Sequence, residues 1–140
     1  MRLLLLVALS ACAAPDFTGW GERTTVVTPS PGYEHVVSVA IAAWNDRLEV
    51  PAFAIGENGY PITEVPEAEW SVPFALGQTD DAGIIIRAGL RDPKILIHEL
   101  GHAIGLAHRA GPSIMTAEVV DAEVWPDDVT RAVGVLRGDP

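Results

Sequence analysis

The chain is 140 residues long, 49% hydrophobic and 20% charged, which fits one globular domain able to bury a core without disulfides. Acidic residues number 19 against 9 basic ones, for a formal charge of −10. Such a surface repels phosphate backbones and anionic headgroups, which argues against nucleic-acid binding.

In chain order, residues 1–11 come first, with Arg2 as an early cation, an apolar run Leu3–Leu9, then small residues. This is the layout of a signal peptide, and the run is too short to span a bilayer stably. Leu9-Ser10-Ala11-Cys12 resembles the lipobox of bacterial lipoproteins, and Cys12 is the chain's sole cysteine. Acylation gives an unpaired exported cysteine a purpose, anchoring the chain to a cell-envelope membrane. Ala11-Cys12-Ala13 also fits an ordinary cleavage site, with plain secretion as the alternative. Residues 12–23 then read as a tether, and residues 24–140 as the folded domain.

Thr24–Thr28 is β-branched and reads as a first strand, stopped by Pro29-Ser30-Pro31-Gly32. A helix is expected from Tyr33 to about Leu48, with Val36, Val37, Ala40, Ile41 and Trp44 on one apolar face. His35 lies on it as a structural residue. Short strands follow at Ala52–Ile55, Tyr60–Val65 and Val72–Leu76, with Glu57-Asn58-Gly59 as a turn. Pro73 removes a ladder donor, so Val72–Leu76 is expected to be an edge strand. Gln78–Ala82 reads as a turn whose Asp80 and Asp81 are solvated, with Ca²⁺ binding conceivable but unsupported. Gly83–Arg87 (GIIIR) is the most strand-like segment. Asp92-Pro93 opens a helix as N-cap and first helical residue, and Gly105 ends it after Ile104.

Residues 98–108 read HELGHAIGLAH and hold three of the chain's 4 histidines. His98 and His102 sit at i and i+4, so both imidazoles leave one helix face and can share a cation. On a continuing helix His108 would lie about 9 Å farther along the axis, beyond the reach of zinc–nitrogen bonds of about 2.0–2.1 Å. The chain must therefore turn back, and Gly105 supplies the residue that tolerates positive φ. Three imidazoles leave a fourth tetrahedral position open, the mark of a catalytic zinc site. Glu99, next to His98, is placed to act as general base for a metal-activated water.

This HExxHxxGxxH string resembles the signature of the metzincin zinc peptidases, with His98, Glu99, His102, Gly105 and His108 at its fixed positions. Gly111-Pro112-Ser113-Ile114-Met115 is similar to the Met-turn, in which a methionine lies beneath the zinc ligands. Ser113-Ile114-Met115 resembles the matrixin branch in particular, as does a closing helix at Asp127–Leu136 with Val129, Val133 and Leu136 on one face. The resemblance implies an α+β fold, a twisted mixed sheet of about four to five strands with two main helices and a C-terminal helix. It implies a zinc endopeptidase with an extended protein or peptide substrate paired to an edge strand, for which Val72–Leu76 is the candidate.

The chain departs from the matrixin pattern in several places. Only His35 is spare for a second, structural zinc, so that site is expected to be missing. Thr116 follows Met115 where the family has Tyr, and Leu136-Arg137-Gly138 stands for Leu-Tyr-Gly. No propeptide cysteine is visible. Two other readings stay open: a zinc-binding or interaction module with little catalysis, and a zinc hydrolase of a non-peptide or cell-wall amide.

Overall fold

A computed structural model of the chain describes residues 24–48, 51–71, 75–116 and 124–137. The expected signal peptide, tether and Cys12 lie outside these residues. The elements are β1 (Thr25–Pro29), α1 (Glu34–Asn45), β2 (Phe53–Ile55), β3 (Tyr60–Val65), β4 (Gly77–Asp80), β5 (Gly83–Arg87), α2 (Pro93–Ile104) and α3 (Pro126–Arg137). No helix among the described residues is long and apolar enough to cross a membrane.

The strands form one sheet in the order β2-β1-β3-β5-β4. Pairings β1–β2, β1–β3 and β3–β5 are parallel, and β4 runs antiparallel to β5 at the edge. A mixed five-stranded sheet with three helices is the α+β class expected from the sequence. Period-two alternation decides which face is buried: Val27, Ile62, Ile84 and Ile86 face the core, while Val26 and Thr63 are exposed. α1 packs at the β2 side, α2 at the β4 side, and the two helices pack on each other.

α1 buries the predicted stripe Val36, Val37, Ala40, Ile41 and Trp44. Trp44 is fully buried, and its indole Nε1–H donates to the carbonyl of Ile97 on α2 at 2.9 Å. At the end of α1, the Asn45 amide accepts from the Ala52 and Phe53 N–H groups and donates to the Phe53 carbonyl. That replaces ladder bonds which so short an edge strand would otherwise lack.

The expected edge strand is corrected by the structure. Ala75 and Leu76 are outside any strand, residues 72–74 lie outside the described set, and the edge strand is Gly77–Asp80. It occupies most of what reads as a turn at Gln78–Ala82. The turn proper is Asp81-Ala82, closed by Asp80 Oδ1, which accepts from the N–H groups of Ala82 and Gly83 at 2.7 and 3.2 Å. A polar stretch forms a strand here because β5 offers an unbroken Gly83–Arg87 ladder, and because inward Thr79 has a polar partner.

Candidate metal centre

α2 starts and stops where its sequence signals lie. The Asp92 carboxylate accepts from the Lys94 N–H at 3.0 Å, and Pro93 opens the helix. At the other end Gly105 adopts φ 112°, the left-handed conformation, and its N–H bonds to the His102 carbonyl at 2.8 Å. The Leu106 N–H bonds to the Gly101 carbonyl at 3.0 Å, completing a Schellman closure. This reversal turns the Leu106 carbonyl back onto His102 and carries His108 alongside the helix it has just left.

His98, His102 and His108 are brought together as the spacing predicts. Their Nε2 atoms are mutually 3.0–3.1 Å apart. His98 Nδ1 lies 2.7 Å from the Ile114 carbonyl oxygen, and His102 Nδ1 lies 2.7 Å from that of Leu106. A carbonyl only accepts, so each Nδ1 carries the proton and each Nε2 presents a bare lone pair. Two lone pairs facing each other at 3.1 Å repel rather than bond, and a shared cation is what reconciles them. The three histidines thus form a site able to hold a metal ion. Among the described residues no further His, Cys, Asp or Glu belongs to the cluster.

Electrostatics agree with neutral ligands. Burial lowers His98 to about 4, assisted by His108 and opposed by the Ile114 hydrogen bond. Burial and then the neighbouring His98 lower His102 to about 3, and burial also lowers His108. A metal ion therefore meets little proton competition from these rings near neutral pH.

Glu99 is 2% exposed and lies outside the histidine cluster. Its Oε2 is 2.6 Å from the Thr79 hydroxyl, and the same hydroxyl is 3.1 Å from the Glu99 carbonyl oxygen. Burial pushes Glu99 up to about 7, against the lowering effect of Thr79. A carboxyl near that value can both take and return a proton at neutral pH.

Met115 is fully buried and packs against α2 at Gly101. A Cβ on Gly101 would approach Met115 Sδ to 2.3 Å and Trp44 Cζ2 to 3.1 Å. Gly101, between the two helical histidines, is what lets the thioether and the indole reach the α2 backbone. The turn itself is held by Asp128, fully buried on the first turn of α3. Its carboxylate accepts from the Ser113 hydroxyl, from the Ile114 N–H at 3.0 Å and from the Trp125 N–H at 3.0 Å. Ser113 Oγ in turn accepts from the Met115 N–H at 2.9 Å.

Gly77, Thr79, Gly101 and Asp128 have no site role legible in the sequence, and Ser113 has one only as part of the Met-turn resemblance. Asp128 is the third residue of a helix opened by Pro126, where an acid can reach back to the N-cap N–H, here that of Trp125. Asp80 is engaged in its turn, and neither it nor Asp81 joins a three-ligand cluster among the described residues. His35 is exposed on α1.

These buried groups give the metal-free protein a defined pH response. Between about pH 4.5 and 6.5 the unfolded chain protonates His98 and His102, while the folded chain protonates only Glu99. The unfolded state then binds about one more proton, so unfolding free energy is expected to fall by about 1.4 kcal/mol per unit of acidification. His108 adds to the same direction. Urea midpoints of EDTA-treated protein across that range check the sign; a midpoint that rises on acidification contradicts it.

Compared with protein-family models the chain matches none, and no curated protein matches it.

Proposed function

We propose that this chain is a zinc-dependent endopeptidase resembling the matrixin branch of the metzincins. The observation that carries the reading is the convergence of three imidazole Nε2 atoms from an HExxHxxGxxH string, two of them with lone pairs bared by the carbonyls on their Nδ1–H groups. Tetrahedral bonds of about 2.0–2.1 Å from imidazoles to zinc set the ligand nitrogens about 3.3 Å apart, close to the spacing present. Three imidazoles with no fourth protein donor among the described residues match catalytic rather than structural zinc.

Zinc held by His98, His102 and His108 would supply a Lewis acid that polarises a carbonyl and lowers the pKa of a water. Glu99 takes the proton of the attacking water on its carboxylate and returns it to the departing amine nitrogen. Gly101 and Met115 fix the floor under the ligands, and the Ile114 and Leu106 carbonyls hold two rings in the tautomer that binds metal. An extended peptide pairs with the edge strand β4. Export and lipid anchoring through Cys12 form part of the same proposal, supported by residues 1–12 of the sequence.

The test incubates zinc-loaded wild type and Glu99→Ala with a proteome-derived peptide mixture and reads new termini by mass spectrometry. Cleavage by wild type, reduced about 10²- to 10⁴-fold in Glu99→Ala with zinc content unchanged, is the expected outcome. Absence of cleavage by both, with zinc bound, would sink the peptidase reading in favour of a non-peptide amide hydrolase or a binding module.

A further inference from the structure

Two residues of β4 meet Glu99 from the sheet side. Gly77 and Thr79 are both buried and, two residues apart on the strand, face the same side. Thr79 Oγ1 lies 2.6 Å from Glu99 Oε2. A Cβ on Gly77 would lie 2.9 Å from both Glu99 Oε1 and Cγ, and 3.0 Å from Ile86 Cδ1. The absent side chain thus leaves the space that one carboxylate oxygen fills, while the hydroxyl holds the other.

The same two residues turn their backbones the other way. The Arg87 N–H donates to the Leu76 carbonyl at 3.1 Å, one step beyond the Gly77–Ile86 pair, so Gly77 and Ile86 face each other at a position without bonds between them. Bonded pairs alternate, so Gln78–Ile85 is the next one, and Gly77 and Thr79 fall at the intervening positions. Their N–H and C=O groups point away from β5, toward the open side of the edge strand. That is where an added strand would pair.

We propose that Gly77 and Thr79 are positioning residues for the Glu99 carboxylate, coupling general-base placement to the strand that receives the substrate. The inference rests on the peptidase reading above. Thr79 holds the carboxylate with the one proton its hydroxyl owns, and Gly77 sets the depth at which that carboxylate sits. A substrate strand bonded to the backbone of these residues fixes the base in register with the bond to be cut.

The test compares full-length, zinc-loaded wild type with Thr79→Val and Thr79→Ser on one peptide substrate. Valine matches threonine in shape and exchanges the hydroxyl for a methyl group that cannot hydrogen-bond. Thr79→Val is expected to lower kcat about 10- to 100-fold through misplacement of the base, with KM within about threefold. Thr79→Ser restores the hydroxyl and is expected to recover most of kcat. A second readout needs neither metal nor turnover: the ¹³C signal of the Glu99 side-chain carboxyl in metal-free protein at fixed pH, assigned by its loss in Glu99→Gln. It moves in Thr79→Val and returns toward wild type in Thr79→Ser. Turnover by wild type with Thr79→Val unaltered, or equal losses in both variants, would overturn this proposal alone, as would an unmoved Glu99 signal. No turnover by wild type overturns the peptidase reading, and the base-positioning role falls with it.

Discussion

A His102→Ala variant is expected to bind no zinc at concentrations that saturate the wild type, and to gain no thermal stability from the metal. His102 is fully buried, and its Nε2 lies 3.1 Å from that of His98 and 3.0 Å from that of His108. Without it, two imidazoles remain, and the chelate loses the i, i+4 pair that the helix pre-orders. For wild type, zinc at about a thousand times its dissociation constant stabilises the folded state by about 4 kcal/mol. In a domain of this size that raises Tm by on the order of 10 °C. Thermal melts with and without zinc, together with metal content after gel filtration, check both halves. An equal zinc-induced rise in the two proteins would show that the metal is held elsewhere.

Asp128→Ala is expected to cost about 3–5 kcal/mol of stability, through loss of a buried hydrogen-bonded carboxylate. The change strands the Ser113 hydroxyl and the N–H groups of Ile114 and Trp125, all of which point at that carboxylate. It also reaches the ligands. Ile114 bonds Asp128 through its N–H and receives the His98 Nδ1–H on its carbonyl, so the same peptide segment that Asp128 holds orients a metal ligand. Weaker zinc binding, by about 10- to 100-fold, is expected alongside the loss of stability. Urea unfolding and competition with a fluorescent chelator separate the two effects. Unchanged zinc affinity in a destabilised Asp128→Ala would confine Asp128 to packing α3 against the turn.

Legibility of the chain in its sequence followed the kind of signal each segment carries. α2 was readable to the residue because Asp92, Pro93 and Gly105 act through local backbone chemistry that tertiary context does not reverse. β5 was readable because Ile84, Ile85 and Ile86 are a β-branched run between turn residues. The convergence of His98, His102 and His108 followed from spacing plus one required break. β4 was missed because strands are recognised by alternating apolar residues, and Gly77, Gln78, Thr79 and Asp80 have none. Its inward residues serve a carboxylate rather than an apolar core. Gly101 and Asp128 were passed over for a related reason: each is defined by a partner distant in sequence or in space, Met115 and Trp44 for one and the Ser113–Ile114 segment for the other. A single sequence shows such residues as an unremarkable helical glycine and a first-turn acid.

The left-handed turn at Gly105 divides the three imidazoles unequally, two on a rigid helix and one on the segment that leaves it. Metal exchange should therefore be a kinetic property of that segment. For an ion held by all three rings, release is expected to need residues 106–116 to part from α2, and the rate of that opening would then set a ceiling on dissociation at any chelator concentration. Amide hydrogen exchange in this stretch and the release rate of the ion would then be two clocks for one event, and the slowing of the first at a known free-metal concentration would report the dissociation constant.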